Sequence, residues 1–144
     1  MASPQFFTPE RSKPSKTVRR FTLEQANRAL PLVKRIVADV VSAHGKALEL
    51  QTEIEETPKS SKLRAALQEQ MEITIDRLHD LLDELSAIGC DLKDYQAGLV
   101  DFTGRHQGRD VCLCWKLGED TIGFWHEMNT GFAGRQPVSI LRED

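Results

Sequence analysis

Two long runs of apolar residues, each spaced alternately by three and four, constrain this chain more than any other feature. The first passes through Leu30, Val33, Val37, Val40, His44, Ala47, Gln51 and Ile54, and the second through Arg64, Leu67, Met71, Thr74, Leu78, Leu81, Leu85 and Ile88. Spacing of this kind draws a stripe along one side of an α-helix. Between the runs lies Glu56-Thr57-Pro58-Lys59-Ser60-Ser61, where Pro58 disfavours helical geometry at Thr57 and either serine can cap a following helix. A chain that reverses near residue 59 sets Leu30 against Ile88, Val33 against Leu85, Val37 against Leu81 and Val40 against Leu78. His44 then meets Thr74, a polar pair that can fix register. Every seam position finds a partner, so the two runs predict an antiparallel helical hairpin.

The ends of the hairpin carry their own signals. Thr22 and Gln25 form a capping box, Phe21 can staple onto Ala26, and Gly89 suits the left-handed position after the second helix. Pro31 predicts a kink, or a short helix leading into a long one. Ile36, Val41, Leu48, Ile73, Ile75 and Leu82 widen the stripe beyond what two helices can bury, so a sheet, a third segment or a second copy must cover it.

After Gly89 the period changes to two. Residues 99–102, 110–116 and 121–127 read as strands, with a loop over 103–109 and a type II′ turn at Gly118-Glu119. That turn pairs Trp115 with Ile122, Leu113 with Phe124 and Val111 with His126, and it assigns those residues to the helices. Cys112, Cys114, Lys116, Gly123, Trp125 and Glu127 fall on the opposite face, to be covered by residues 129–144 or by another subunit. The expected fold is α+β: a helical hairpin over 21–88, then a small three-stranded antiparallel β-meander and tail over 89–144, with 21–144 as one folded unit.

Composition narrows the function classes. Across 144 residues of net charge −3, no apolar run approaches the ~18 residues needed to span a bilayer, and the first twenty residues hold no apolar core of a secretory leader. A cytoplasmic protein without membrane contact is expected. The 3 cysteines are then read as thiols, not as a disulfide framework. Residues 1–20 carry Arg11, Lys13, Lys16, Arg19 and Arg20 against Glu10 alone, among Pro4, Pro9 and Pro14, and read as a disordered basic arm. Nucleic acid is an unlikely partner for the acidic remainder, the arm being the one segment suited to it.

Polar chemistry concentrates between Cys90 and Arg135. Asp101, His106, His126 and Glu127 are the candidate acid/base residues, with Asp101 or Glu127 as the partner of a histidine. Lys93, Arg105, Trp125 and Arg135 are the candidate ligand-binding residues. Arg135 ends a Gly131-Phe132-Ala133-Gly134 loop that can either hold an anion or close the sheet, with Phe132 as a plug and Arg135 bonded to Asp101 or Glu127. Cys90, Cys112, Cys114 and His126 are weak zinc ligands. Alternation along a strand holds Cys112 and Cys114 about 7 Å apart, and the paired register puts His126 on the other face, so no metal is favoured.

The capped start FTLEQANRALPLVKRIV, together with GCDLKDYQAGLVDF, CWKLGE, WHE and GFAGRQP, resembles an uncharacterised bacterial domain family whose members are sometimes labelled division-initiation proteins. The resemblance covers residues 21 to about 138. It implies a bacterial cytoplasmic protein and supplies no site residues. The function expected from the residues is a non-enzymatic interaction or scaffold module that associates with itself through the hairpin, with other protein partners open. The alternative is a small-ligand or metal-assisted enzyme with its site on the meander.

Overall fold

A computed structural model describes residues 18–144. Helix α1 (Leu23–Glu56) and helix α2 (Lys62–Ile88) form the antiparallel hairpin, and the caps expected from sequence are in place. The Thr22 side chain accepts from the Gln25 backbone N–H while the Gln25 side chain accepts from the Thr22 N–H. Ser61 caps α2, and Gly89 ends it in the left-handed region at φ 109°. Pro31 lies inside α1, which runs through it as one helix rather than as two. The apolar seam residues Leu30, Val33, Val37, Val40, Ala47, Leu67, Met71, Leu78, Leu81 and Leu85 are all buried. The His44 ring packs edge-on against Tyr95, and the Thr74 hydroxyl donates back to the Gln70 carbonyl, so each polar seam residue has a contact outside the expected pair.

The meander has five strands rather than three: β1 (Cys90–Asp94), β2 (Leu99–His106), β3 (Arg109–Lys116), β4 (Phe124–Glu127) and β5 (Gln136–Pro137), in sequential antiparallel order. The segment expected as a loop over 103–109 is mostly strand. β2 and β3 extend to His106 and Arg109 and turn through Gln107 and Gly108, both at positive φ, as a two-residue type I′ hairpin requires. Gly104 suggests a loop in the sequence but serves packing, not turning: a Cβ there would sit 2.8 Å from Leu113 Cγ.

The β3–β4 register differs by one residue from the expected one. Leu113 pairs with Trp125 and Cys112 with His126, because residues 117–123 form a wider connection than a two-residue turn. A one-residue slip exchanges the faces of a strand. Trp125 therefore joins Val111, Leu113 and Trp115 in the main core with the helices, while Phe124 and His126 share the outer face with Cys112 and Cys114. Ile122 stays in the core as expected.

Two segments tie the layers together. Arg19 and Arg20, the end of the stretch read as a basic arm, are fastened down: Arg19 donates to the Ile88 carbonyl, and Arg20 bridges beside Thr103 and pairs with Asp110. Residues 1–17 of that arm lie outside the described residues. At the other end, the Gln107 and Gly108 N–H groups donate to the Arg142 and Asp144 carbonyls, and Glu143 accepts from the Leu23 N–H at the start of α1. The distal half of the hairpin extends past this assembly with a separate small core of Ala47, Leu50, Leu67 and Met71.

Candidate functional site

The outer face of the sheet holds a buried polar cluster. Asp101 stands at the middle of β2, opposite Cys114 on β3, and Cys112 on β3 stands opposite His126 on β4. Asp101, Cys112, Cys114 and His126 are all buried. His126 Nε2 lies 3.2 Å and 3.1 Å from the two Asp101 oxygens, and His126 Nδ1 lies 2.8 Å from the Glu127 carbonyl. A carbonyl can only accept, so the Nδ1 contact is a donation from the ring, and Nε2 faces both Asp101 oxygens. The imidazole is thus held at both nitrogens.

The thiols complete the cluster. Burial, reinforced by the nearby Asp101 carboxylate, pushes both Cys112 and Cys114 up to about 12, so they are protonated at neutral pH. The positive charges of Lys93 and Arg135 oppose this weakly, at Cys112 and Cys114 respectively. Cys112 Sγ sits 3.5 Å from Met128 Sδ, part of the tail that covers this face. Cys90, by contrast, is on the helix side, where its thiol donates to the Leu85 carbonyl and burial pushes it up to about 12 as well.

The remaining sequence candidates pair off elsewhere. Glu127 takes a bidentate contact from Arg109, 2.9 Å from Nε, at the edge of the helix-side face. His106 faces the helices, stacked on Trp125 at 4.4 Å between ring centroids, and its Nδ1 accepts from the Arg142 N–H. Trp125 is a core residue whose indole donates to the Pro137 carbonyl. Arg105 donates to the Gly108 carbonyl near Asp110, and Lys93 lies 3.8 Å from Asp91. Arg135 closes the sheet, but through Glu119 at 2.6 Å rather than Asp101 or Glu127. Its guanidinium lies between the rings of Phe124 and Phe132, at 4.0 Å and 4.6 Å. Among the acid/base candidates only Asp101 and His126 come within hydrogen-bond reach of each other, while His106 adds a smaller electrostatic contribution to the lowering of the Glu127 carboxyl, which Arg109 dominates.

Met128 and Glu119 do not stand out in the sequence. Met128 continues the alternation of β4 past its end, which is the signal that places it beside Cys112. Glu119 sits in a connection that the sequence pattern presents as a two-residue hairpin.

The oxygen, sulfur and nitrogen atoms that Asp101, Cys114 and His126 offer all lie within 4.8 Å of one another, a set that the register expected from sequence excludes by turning His126 away. Residues 19–138 match the family described as uncharacterized conserved protein, DUF2203. The chain belongs to this family. No curated protein and no solved structure matches it. Among the described residues no helix is long and apolar enough to cross a membrane.

Proposed function

We propose that this member of the family is a self-associating scaffold, and that the contact runs along α2 in the distal half of the hairpin. The observation that carries this reading is a second row of exposed residues on α2. Leu63, Ala66, Gln70 and Ile73 follow the same three-four spacing as the buried row, about a quarter-turn away from it. Leu63 and Ile73 are 59% and 62% exposed. In helical bundles each helix faces two neighbours on adjacent sides, and here one of those sides is α1.

A second copy of the chain is the occupant that the self-complementary spacing of this row fits. Laid antiparallel across α2, it sets Leu63 of each copy against Ile73 of the other and Ala66 against Gln70. The same arrangement brings Lys62 of each copy beside Asp76 of the other, two opposite-charge pairs that flank a Glu69–Glu69 contact on the two-fold axis. The pairing places the two sheets at opposite ends of the helices. The dispersal of Glu127, His106 and Arg135 into separate pairs supports a scaffold over the acid/base constellation considered from sequence.

Sedimentation equilibrium tests it. The expected result is a dimer that Leu63→Glu with Ile73→Glu converts to a monomer of unchanged helix content. Lys62→Glu should weaken the dimer, and Lys62→Glu with Asp76→Lys should restore it. A monomeric wild-type chain at about 100 μM, a concentration well above the Kd of a stable dimer, or a double variant of unchanged mass, would overturn it.

A further inference from the structure

We propose that Asp101, Cys114 and His126 form a binding site for one zinc-class divalent cation on the outer face of the sheet. The three residues come from β2, β3 and β4, so regular strand pairing, rather than a loop, holds the donors in place. Tetrahedral zinc with bonds of about 2.0 Å to nitrogen and oxygen separates two such ligands by roughly 3.3 Å. His126 Nε2 and the Asp101 oxygens already stand at 3.1 Å and 3.2 Å, and all three donor atoms fall within 4.8 Å of one another.

The surroundings match those of a ligating histidine. The Nδ1–H bond to the Glu127 carbonyl at 2.8 Å fixes the ring and directs Nε2 inward, which is the orienting contact that metal-bound imidazoles make. Nitrogen, thiolate sulfur and carboxylate oxygen together suit zinc and its late first-row neighbours, and they disfavour magnesium and calcium, which take oxygen alone. Charge also closes. A carboxylate and a thiolate neutralise one divalent ion, which matters where Asp101, Cys114 and His126 are 7%, 0% and 3% exposed. Cys112 is engaged with Met128, so the protein supplies three ligands and the fourth position is left to water or another small donor.

Binding is an exchange of protons for metal. Bonds form from zinc to Nε2, to a carboxylate oxygen and to Sγ, and every proton held at those three atoms, the Cys114 thiol proton included, passes to solvent. No redox partner is needed. This site is independent of the α2 contact, and neither result decides the other.

The test is titration of the chelator-treated full chain with Zn²⁺ by calorimetry and with Co²⁺ by absorption. One ion per chain is expected, with a thiolate-to-cobalt charge-transfer band. Cys114→Ser should abolish that band and weaken zinc by tenfold or more, whereas Cys90→Ser and Cys112→Ser should keep it. Asp101→Asn, which preserves shape, should weaken zinc by about tenfold or more while keeping the band, so the test does not depend on Cys114→Ser folding. Absence of stoichiometric zinc, unchanged zinc affinity in Asp101→Asn, or a band that follows Cys90 or Cys112 would overturn the proposal.

Discussion

Asp101 and His126 meet across an intervening strand, with Nε2 3.1 Å from the nearer carboxylate oxygen, although β2 and β4 are each paired to β3 and not to each other. Both side chains stand beside the β3 cysteines and are buried, at 7% and 3% exposure. Removing Asp101 leaves His126 buried with Nε2 unmet. Asp101→Ala is expected to cost about 1–3 kcal/mol or more, since the group left behind is polar and desolvated. Asp101→Asn keeps an acceptor facing the ring and should cost less. Urea denaturation of the metal-free variants measures both, and equal costs would mean that the pair is not what Asp101 contributes.

The register of β4 gives a direct contrast between neighbouring aromatics. Trp125 is 2% exposed in the main core, whereas Phe124 is 38% exposed under the Arg135 guanidinium. Trp125→Ala should cost about 3–5 kcal/mol and Phe124→Ala about 1 kcal/mol, the latter chiefly lost ring–cation contact. Guanidinium denaturation resolves so large a difference. The opposite ranking would restore the register inferred from a Gly118-Glu119 hairpin.

That slip shows where the sequence was legible. The hairpin was readable because its signals are local and redundant: Thr22 and Gln25 cap α1, Ser61 caps α2, Gly89 ends it, and the apolar positions repeat over many turns. Strand register depends instead on one connection, and nothing in residues 117–123 announces that Glu119 will accept from the Lys116 N–H while its carbonyl receives the Trp115 indole. One residue of error there hid the approach of His126 to Asp101 and Cys114. β1 carries little strand signal because Cys90-Asp91-Leu92-Lys93-Asp94 presents only two buried side chains, and β5 is two residues long.

Gly104 offers a packing test of the β2–β3 pairing. Leu113 fills the space a side chain at 104 would need, with three of its carbons at 2.8 Å to 3.0 Å from a built Cβ. Gly104→Ala should therefore destabilise the protein by about 1–3 kcal/mol through overpacking. Leu113 is fully buried, so Leu113→Ala alone should cost about 2–5 kcal/mol. The double variant should cost less than the two singles together, because the new methyl enters the vacated space. Strict additivity in denaturation experiments would show that the two positions do not touch.

The buried thiols set the alkaline limit of the metal-free fold. Cys90, Cys112 and Cys114 are each raised from 9.0 to about 12, chiefly by burial, so the folded chain holds protons that the unfolded chain has released. A group whose pKa is raised on folding contributes its full stabilisation below the unfolded value and loses it as the pH climbs toward the folded one. Stability should accordingly fall between about pH 9 and 12, and Cys112→Ala, which removes one such thiol, should fall less steeply than wild type over the same window. Reaction with an aromatic disulfide reagent at about pH 8 should track unfolding rather than free thiol exposure, because the reactive thiolate forms only when the face opens. Urea midpoints at about pH 8 and 10.5 and labelling rates with and without denaturant provide the check. Rapid labelling of the native chain would mean that Met128 and the tail do not shield Cys112, and the alkaline loss of stability would then have to come from other groups.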